Sequence, residues 1–506
     1  HDFVENTHAS TSISYAMGLV KAREDDSHVV AVIGDGALTG GMAYEALNHV
    51  AQEKPAGLII VLNDNGRSYA PTVGGLADHL SKLRVDRRYE DAKQAFGSAL
   101  RKLPVVGDVA VETAVRMQAS VQEMRATVTF CDILGLTYTG PMDGHDRGLV
   151  EETCVRAKGF DEPVVIHVIT EKGRGDQPAL DDEQDTRHGV GRIDPATGKS
   201  LGGGLSWTAG FGAALAYEVE RRPDVVAITA AMESSTGLSK IADEYADRVI
   251  DVGISEQHAV TLAAGLAMGG KRPVVSIYSS FLQRAIDQII TDVAMHELPV
   301  TFVLDRAGVT GPDGPSHHGV MDLSYLRMVP GLAVGAPADT QELAGMLSAA
   351  LDHDGPVALR YPRGSAAALP DLPARPLEIG RWERLTEGDD ILLLATGKMV
   401  EAAHKAAGLV EDRSITVVNA RWVKPVDPRL AAWAKDHQRV LTVEDGVIAG
   451  GFGAGVAEHL ASAGVSRPIT MLGIPDQFLR FGEQTGILAE LGLDAEGIAD
   501  ALSALR

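Results

Sequence analysis

Short apolar runs, largely β-branched, recur along the chain with amphipathic stretches between them: Val29–Ile33, Leu58–Leu62, Val164–Ile169, Val225–Ile228, Val274–Ile277, Val300–Leu304, Ile391–Ala395 and Ile415–Val418. A strand that is apolar throughout must be covered on both faces, and helices between successive strands provide that cover in parallel sheets. The pattern therefore predicts an α/β fold. A chain of 506 residues exceeds what one hydrophobic core accommodates. Two breaks in the rhythm suggest where it divides: the glycine-rich Gly198–Gly204, and Leu369–Pro376 with its three prolines. The expected domains are residues 1–200, 203–370 and 377–506. Between Asp64 and Phe130 the strand rhythm lapses into a charged, helix-prone insertion, about 66–128, including Leu80–Ala99 and Val111–Ala126.

Several partners are disfavoured by composition. None of the apolar runs approaches the roughly 20 residues needed to cross a bilayer. A formal net charge of −23 repels nucleic acid and anionic lipid, and no long Lys/Arg run offsets it locally. Two cysteines, Cys131 and Cys154, do not make a disulfide framework and fit a reducing, cytoplasmic setting. The sequence starts at His1 with no signal-like segment, and reads as a fragment that begins inside a domain.

Three constellations carry chemistry. In the first, the strand Val29–Ile33 runs into Gly34-Asp35-Gly36-Ala37 and then the helical stretch Met42–His49, a position where anions bind. A carboxylate there would compete with a phosphate unless a divalent cation took oxygen ligands from both, which makes Asp35 a candidate Mg²⁺ ligand. Beyond the next strand, Asn63-Asp64-Asn65 offers an amide oxygen from the neighbouring strand end. Alone, Gly-Asp-Gly is more often a plain tight turn.

In the second, the strand Val249–Val252 leads through Gly253-Ile254-Ser255-Glu256-Gln257-His258 into the small-residue helix Thr261–Gly269. The plain reading of Glu256 is a carboxylate stabilised by the helix dipole, worth up to about 1 kcal/mol. Downstream, Tyr278-Ser279-Ser280-Phe281-Leu282-Gln283-Arg284 offers an aromatic face and an arginine. The third is the glycine-rich run Asp305–Gly319, holding Arg306, Asp313 and His317, together with the Tyr361-Pro362-Arg363-Gly364 turn. Two arginines can clamp a phosphate bidentately, which proposes Arg306 and Arg363 as a phosphate grip.

Gly-Asp-Gly followed by Asn-x-Asn resembles the metal and diphosphate motif of thiamine-diphosphate enzymes, and Ile-Ser-Glu-Gln-His resembles their activating-glutamate motif. Asp-Arg-Ala-Gly, Gly-x-Asp-Gly-x-Ser-His-x-Gly and Tyr-Pro-Arg-Gly together resemble the 1-deoxy-D-xylulose-5-phosphate synthase family within the transketolase superfamily. Further matches are Thr7-His8-Ala9-Ser10-Thr11-Ser12, Gly140–Asp146, Lys172-Gly173-Arg174-Gly175 and His188.

The resemblance implies a transketolase-like α/β fold whose third sheet is mixed, and thiamine diphosphate and Mg²⁺ as cofactors. The substrates it implies are pyruvate and D-glyceraldehyde 3-phosphate, with loss of CO₂. Asp35, Asn65 and the carbonyl of Arg67 would hold the metal, with His8, Gly34, Gly36, Ala37 and Lys172 near the diphosphate. Glu256 would bond N1′ of the aminopyrimidine and Phe281 would be its platform. Tyr278 and Arg284 would line the substrate pocket, Asp313 would contact the acceptor hydroxyls, His317 would handle protons and His188 would lie near the reacting centre. A homodimer, and a role in supplying isoprenoid, thiamine and pyridoxal precursors, are implied likewise.

The sequence departs from the family in three places. The sequence does not include about a hundred residues that usually come first, Gly66-Arg67 replaces an acidic–methionine pair, and Ala231–Gly237 replaces a version with arginine and glutamate. Gly450–Gly455 reads as close packing rather than a nucleotide loop, since no acidic ribose-binding residue follows at the expected distance. The alternatives are transketolase-type ketol transfer and an inactive paralogue.

Overall fold

A computed structural model describes residues 4, 7–68, 71–85, 130–182, 186–189, 193, 194, 197 and 205–505. It separates into two compact units, residues 1–190 with 253–255, and residues 191–252 with 256–506.

The first unit holds a four-stranded sheet in the order β1-β2-β4-β3, with β1 Val29–Gly34, β2 Leu58–Asp64, β3 Thr137–Asp143 and β4 Val164–Ile169. Every pairing in it is parallel. The register puts Gly34 opposite Asn63, so the Gly-Asp-Gly turn and the Asn-Asp-Asn segment leave neighbouring strands at the same edge. Between β1 and β2, helix Gly41–Glu53 buries Ala43, Ala46, Leu47 and Val50, the i, i+3, i+4, i+7 stripe of a helix covering a sheet. It ends where Lys54 turns left-handed at φ 46°. The sequence did not mark β3, whose apolar pattern is broken by Gly140-Pro141 and whose register shifts between Thr139 and Met142.

The second unit contains two sheets. One has seven strands in the order β14-β9-β10-β8-β7-β5-β6, built from β5 Val225–Thr229, β6 Val249–Asp251, β7 Arg272–Tyr278, β8 Thr301–Ala307, β9 Ala333–Gly335, β10 Val357–Pro362 and β14 Trp422–Lys424. Strands β5 to β10 pair in parallel, and β14, which comes from the last third of the chain, adds an antiparallel edge. The other sheet is mixed, in the order β11-β13-β12-β15-β16, with β11 Glu383–Arg384, β12 Ile391–Ala395, β13 Ile415–Asn419, β15 Arg439–Val447 and β16 Ile469–Ile474. Tyr361 and Pro362, expected in a turn, finish β10.

Leu369–Pro376 is irregular, whereas Gly198–Gly204 lies outside the described residues. Of the insertion, helix Gly75–Val85 begins five residues before the expected Leu80; residues 86–128, including Val111–Ala126, lie outside the described residues.

Close packing explains the Gly450–Gly455 run. Both oxygens of the buried Glu444 accept backbone N–H bonds, from Phe452 and Gly453 at 2.8 Å each, in the first turn of helix Phe452–Ser462. A Cβ on Gly451 would lie 2.3 Å from Glu444 Oε2, and one on Gly453 would lie 2.5 Å from Thr442 Oγ1. Burial pushes the Glu444 carboxyl from 4.5 up to about 8, against the pull of those N–H groups.

A group whose folded pKa lies above its unfolded value binds more protons when folded, so its contribution to stability falls as pH rises from about 4.5 to 8 and levels off above. All four tryptophans, at 207, 382, 422 and 433, belong to the second unit and report on it alone. Urea midpoints followed by tryptophan fluorescence should fall across that window in the wild type, and the fall should be shallower in Glu444→Gln.

Candidate cofactor and substrate site

In the first unit, β1 ends at Gly34 and the chain turns at once into a single helical turn, Asp35–Leu38. Asp35 is buried (1% exposed). Its Oδ1 accepts from Asn65 N–H at 3.2 Å and its Oδ2 from the Thr72 hydroxyl at 2.5 Å. Asn65 Oδ1 accepts from Arg67 N–H at 3.0 Å, so the three residues expected to hold the metal are joined through their backbone N–H groups. Gly36 sits close to its neighbours, and a Cβ there would lie 3.1 Å from Ser68 Cβ, so that Ser68 would have to give by a few tenths of an ångström.

His8 lies in the turn before helix Ser12–Ala22, and Ser10 of that turn donates to Ala37 O at 2.6 Å. Lys172 Nζ donates to Ser68 O and lies 2.8 Å from His188 Nδ1, so the two outlying candidates meet. A cavity of about 440 Å³ beside them is lined by Asn65, Arg67, Thr170, Glu171, Lys172 and Thr186.

The second unit assembles the remaining candidates. Glu256 opens helix Glu256–Met268, is buried, and has Arg284 Nη1 3.5 Å from its Oε2. Tyr278 and Phe281, at the end of β7 and in the turn after it, stack at 5.4 Å and 19°. The guanidinium of Arg306 covers the Tyr278 ring at 3.9 Å, a cation–π contact, and donates to Ser235 O at 3.1 Å. His317 meets the edge of Phe281, with centroids 5.3 Å apart. Asp313 pairs with Arg363 Nη1. Each of the two proposed phosphate-binding arginines thus faces a carboxylate, Arg306 that of the buried Asp305 at 3.3 Å in addition to its aromatic face and carbonyl, Arg363 that of Asp313.

The adjacent histidines separate cleanly. His318 is buried, accepts from Thr310 N–H through Nδ1 (3.0 Å) and meets Arg480 O through Nε2 (3.2 Å); burial holds its imidazole below the ordinary pKa. That is a neutral structural histidine. His317, half-buried beside Phe281 and Ser316, is the one of the two that remains a candidate site residue. Thr72 and Ser235 were not foreseen, because neither sits in a patterned motif; the sequence signal for Ser235 is only that it lies in the departing Ala231–Gly237 stretch.

Comparison with known proteins addresses the chain as a whole. Family models for the 1-deoxy-D-xylulose-5-phosphate synthase N-terminal region, the transketolase pyrimidine-binding domain and the transketolase C-terminal domain match residues 1–170, 203–367 and 380–498. A 1-deoxy-D-xylulose-5-phosphate synthase of Streptomyces coelicolor is 49% identical over 100% of this chain and 78% of its own length. The chain belongs to the 1-deoxy-D-xylulose-5-phosphate synthase family. The family's enzyme of Rhodococcus jostii is 48% identical over 99% of the chain and 78% of its own length.

Among solved structures, a split-gene transketolase described as an inactive β4 tetramer shares 31% identity and a TM-score of 0.54, covering 60% of this chain and 98% of its own. The Campylobacter jejuni transketolase shares the fold, with a TM-score of 0.52 at 16% identity over 98% of this chain and 81% of its own.

Members of the 1-deoxy-D-xylulose-5-phosphate synthase family are transketolase-type transferases that depend on thiamine diphosphate and Mg²⁺. The residues present fit that pair. Among the described residues no three His, Cys, Asp or Glu side chains cluster as a metal site. One buried carboxylate with an amide and a backbone oxygen is instead a hard-oxygen set that leaves positions for diphosphate oxygens and water, as Mg²⁺ prefers.

Proposed function

We propose that this chain condenses pyruvate with D-glyceraldehyde 3-phosphate, with loss of CO₂, to give 1-deoxy-D-xylulose 5-phosphate. The observation that carries the proposal is the contiguous group Arg306–Tyr278–Phe281–His317, in which Arg306 and His317 come from the segments that resemble this family and pack onto the aromatic pair that follows the glutamate motif. It combines a permanent cation, an aromatic platform and an imidazole, and the Asp313–Arg363 pair adds a second cation and a hydroxyl acceptor.

In this reading Arg306 and Arg363 bind the acceptor phosphate, Asp313 accepts from its hydroxyls, and Tyr278 and Arg284 line the pocket. His317 moves the proton at the acceptor aldehyde oxygen, which becomes a hydroxyl as the carbon–carbon bond forms. Glu256 bonds the aminopyrimidine N1′ against the Phe281 platform. Asp35, Asn65 and the Arg67 carbonyl hold Mg²⁺, while His8, Lys172, Gly34, Gly36 and Ala37 take the diphosphate and His188 lies by the reacting centre. Thiamine diphosphate supplies the electron sink that accepts the pair left by departing CO₂.

The division into residues 1–200, 203–370 and 377–506, a cytoplasmic homodimer, and a place in isoprenoid, thiamine and pyridoxal precursor supply belong to the same proposal. It is supported by the run of matching segments and by the absence, among the described residues, of any helix long and apolar enough to cross a membrane.

The test is release of CO₂ from pyruvate and formation of deoxyxylulose phosphate, with thiamine diphosphate, Mg²⁺ and glyceraldehyde 3-phosphate. Product that depends on the acceptor supports the proposal; ketol exchange between sugar phosphates without CO₂ would replace it. Asp35→Ala removes the one carboxylate in the metal set and should weaken Mg²⁺ binding by roughly 100-fold or more, with the activity lost in EDTA and restored by Mg²⁺ only in the wild type.

A further inference from the structure

We infer that Tyr138, His167 and Asp64 form a positioning chain for Asn65, so that a tyrosine hydroxyl on the far strand of the sheet helps set the affinity of the first unit for a divalent cation. The inference rests on the metal-binding reading of Asp35, Asn65 and the Arg67 carbonyl.

It starts from the alternation of a strand. Asn63, Asp64 and Asn65 follow one another at the end of β2, so Asp64 points to the opposite face from its two neighbours. That face is the interior. Asp64 and His167 are both 0% exposed, and Tyr138 is buried with them. His167 Nε2 lies 3.0 Å from Asp64 Oδ2, and His167 Nδ1 lies 2.7 Å from the Tyr138 hydroxyl. The three residues come from β2, β4 and β3, which are adjacent in that order, and since Asp64 lies opposite Ile169 and Tyr138 opposite Val165 the chain runs diagonally across the sheet through His167.

In the neutral imidazole tautomer that satisfies all three groups, Nε2–H donates to Asp64 while Nδ1 accepts from the tyrosine O–H. The Tyr138 hydroxyl thus selects which nitrogen faces the carboxylate. The two rings also meet edge to face, 5.9 Å apart at 65°. Gly140 lets β3 come close enough, since a Cβ there would lie 2.4 Å from His167 O.

On the other face, Asn63 Oδ1 accepts from the Thr170 hydroxyl at 2.6 Å, and Thr170 N–H donates to Asp64 O at 2.9 Å. The tripeptide is therefore held on both faces just before Asn65, whose own N–H reaches Asp35 Oδ1 at 3.2 Å. A core needs no such arrangement: buried charged groups can often be replaced by apolar side chains of similar volume with little loss of stability. Groups that orient metal ligands from behind, by contrast, typically change metal affinity by about 10- to 100-fold when removed.

The experiment titrates Mn²⁺ into the protein with thiamine diphosphate present and counts free Mn²⁺ by electron paramagnetic resonance, with the thermal midpoint measured alongside. The proteins are wild type, Tyr138→Phe, Asp64→Asn and Asp35→Ala, at a temperature where circular dichroism shows each folded. Tyr138→Phe should weaken Mn²⁺ binding about 10-fold and Asp64→Asn about as much or more, while both still unfold cooperatively. If both bind Mn²⁺ as tightly as wild type while Asp35→Ala does not, the chain is only core and the inference is wrong although the metal reading stands. If Asp35→Ala binds like wild type, the metal reading fails and takes the inference with it. Should Tyr138→Phe not fold, Asp64→Asn, which keeps an acceptor for His167, decides alone.

Discussion

Glu256→Gln should lower kcat by roughly three orders of magnitude while leaving the thermal midpoint within a few degrees of wild type. The glutamine fills the same volume at the head of helix Glu256–Met268, so packing changes little. What it loses is the charge that a carboxylate bonded to an aminopyrimidine nitrogen needs to shift protons, and a positioned acid/base group of this kind is worth about 10²- to 10⁴-fold. The Arg284 guanidinium, 3.5 Å away, would also lose its ionic contact with this side chain, which is why a polar isostere is the cleaner probe than alanine. Single-turnover CO₂ release from pyruvate, compared between the two proteins at saturating cofactor, reads the effect; a variant with more than a tenth of wild-type activity would remove Glu256 from the chemistry.

Arg360→Leu should cost about 3–5 kcal/mol, enough to unfold much of the second unit at ambient temperature. Arg360 lies on β10 and is almost fully buried. Its Nε is 3.0 Å from Asp322 Oδ2, its Nη2 is 3.1 Å from Asp322 Oδ1, and its Nη1 contacts Asp445 Oδ1 on β15. Removing the cation leaves two buried carboxylates facing one another's field, and that uncompensated burial, rather than the attraction lost, is the source of the cost. The triple variant Arg360→Leu, Asp322→Asn, Asp445→Asn should recover part of the loss, a non-additivity expected of groups in contact. Tryptophan fluorescence during urea unfolding measures all three proteins; equal midpoints for Arg360→Leu and the wild type would show that the ionic cluster does not hold the unit together.

The same residues show how far the fold can be read from sequence. Each of the eight apolar runs became a strand, because in a sheet covered on both faces burial and β-branching coincide. Of the strands that were missed, β9, β11 and β14 are only two or three residues long, and three longer ones carry polar or helix-breaking residues. Strand β10 contains Arg360, β15 contains Glu444 and Asp445, and β3 is interrupted by Gly140-Pro141. A search for apolar runs passes over a strand whose buried charges are satisfied by partners far along the chain.

The candidate site divides in the same way. Asp35, Asn65, Glu256, Phe281, Arg306 and His317 stood in local motifs and could be put forward as candidates from sequence. Thr72, which donates to Asp35, and the partition of labour between His317 and His318 depend on neighbours that only the folded chain supplies.

Strand β14 bears on how a gene of this kind could be broken in two. Residues 422–424 close one edge of the seven-stranded sheet by pairing antiparallel with β9, so the polypeptide after Leu369–Pro376 completes a sheet that begins before it. Two separately translated products divided at that proline-rich stretch would each be born with a defect: the earlier would present unpaired backbone groups along β9, and the later would carry a short strand with nothing to lie against. Division nearer residue 200 cuts no strand pairing within either unit. Among the described residues, sheet completion thus ties the last two segments into one heritable piece, whereas no strand pairing ties the first segment to them.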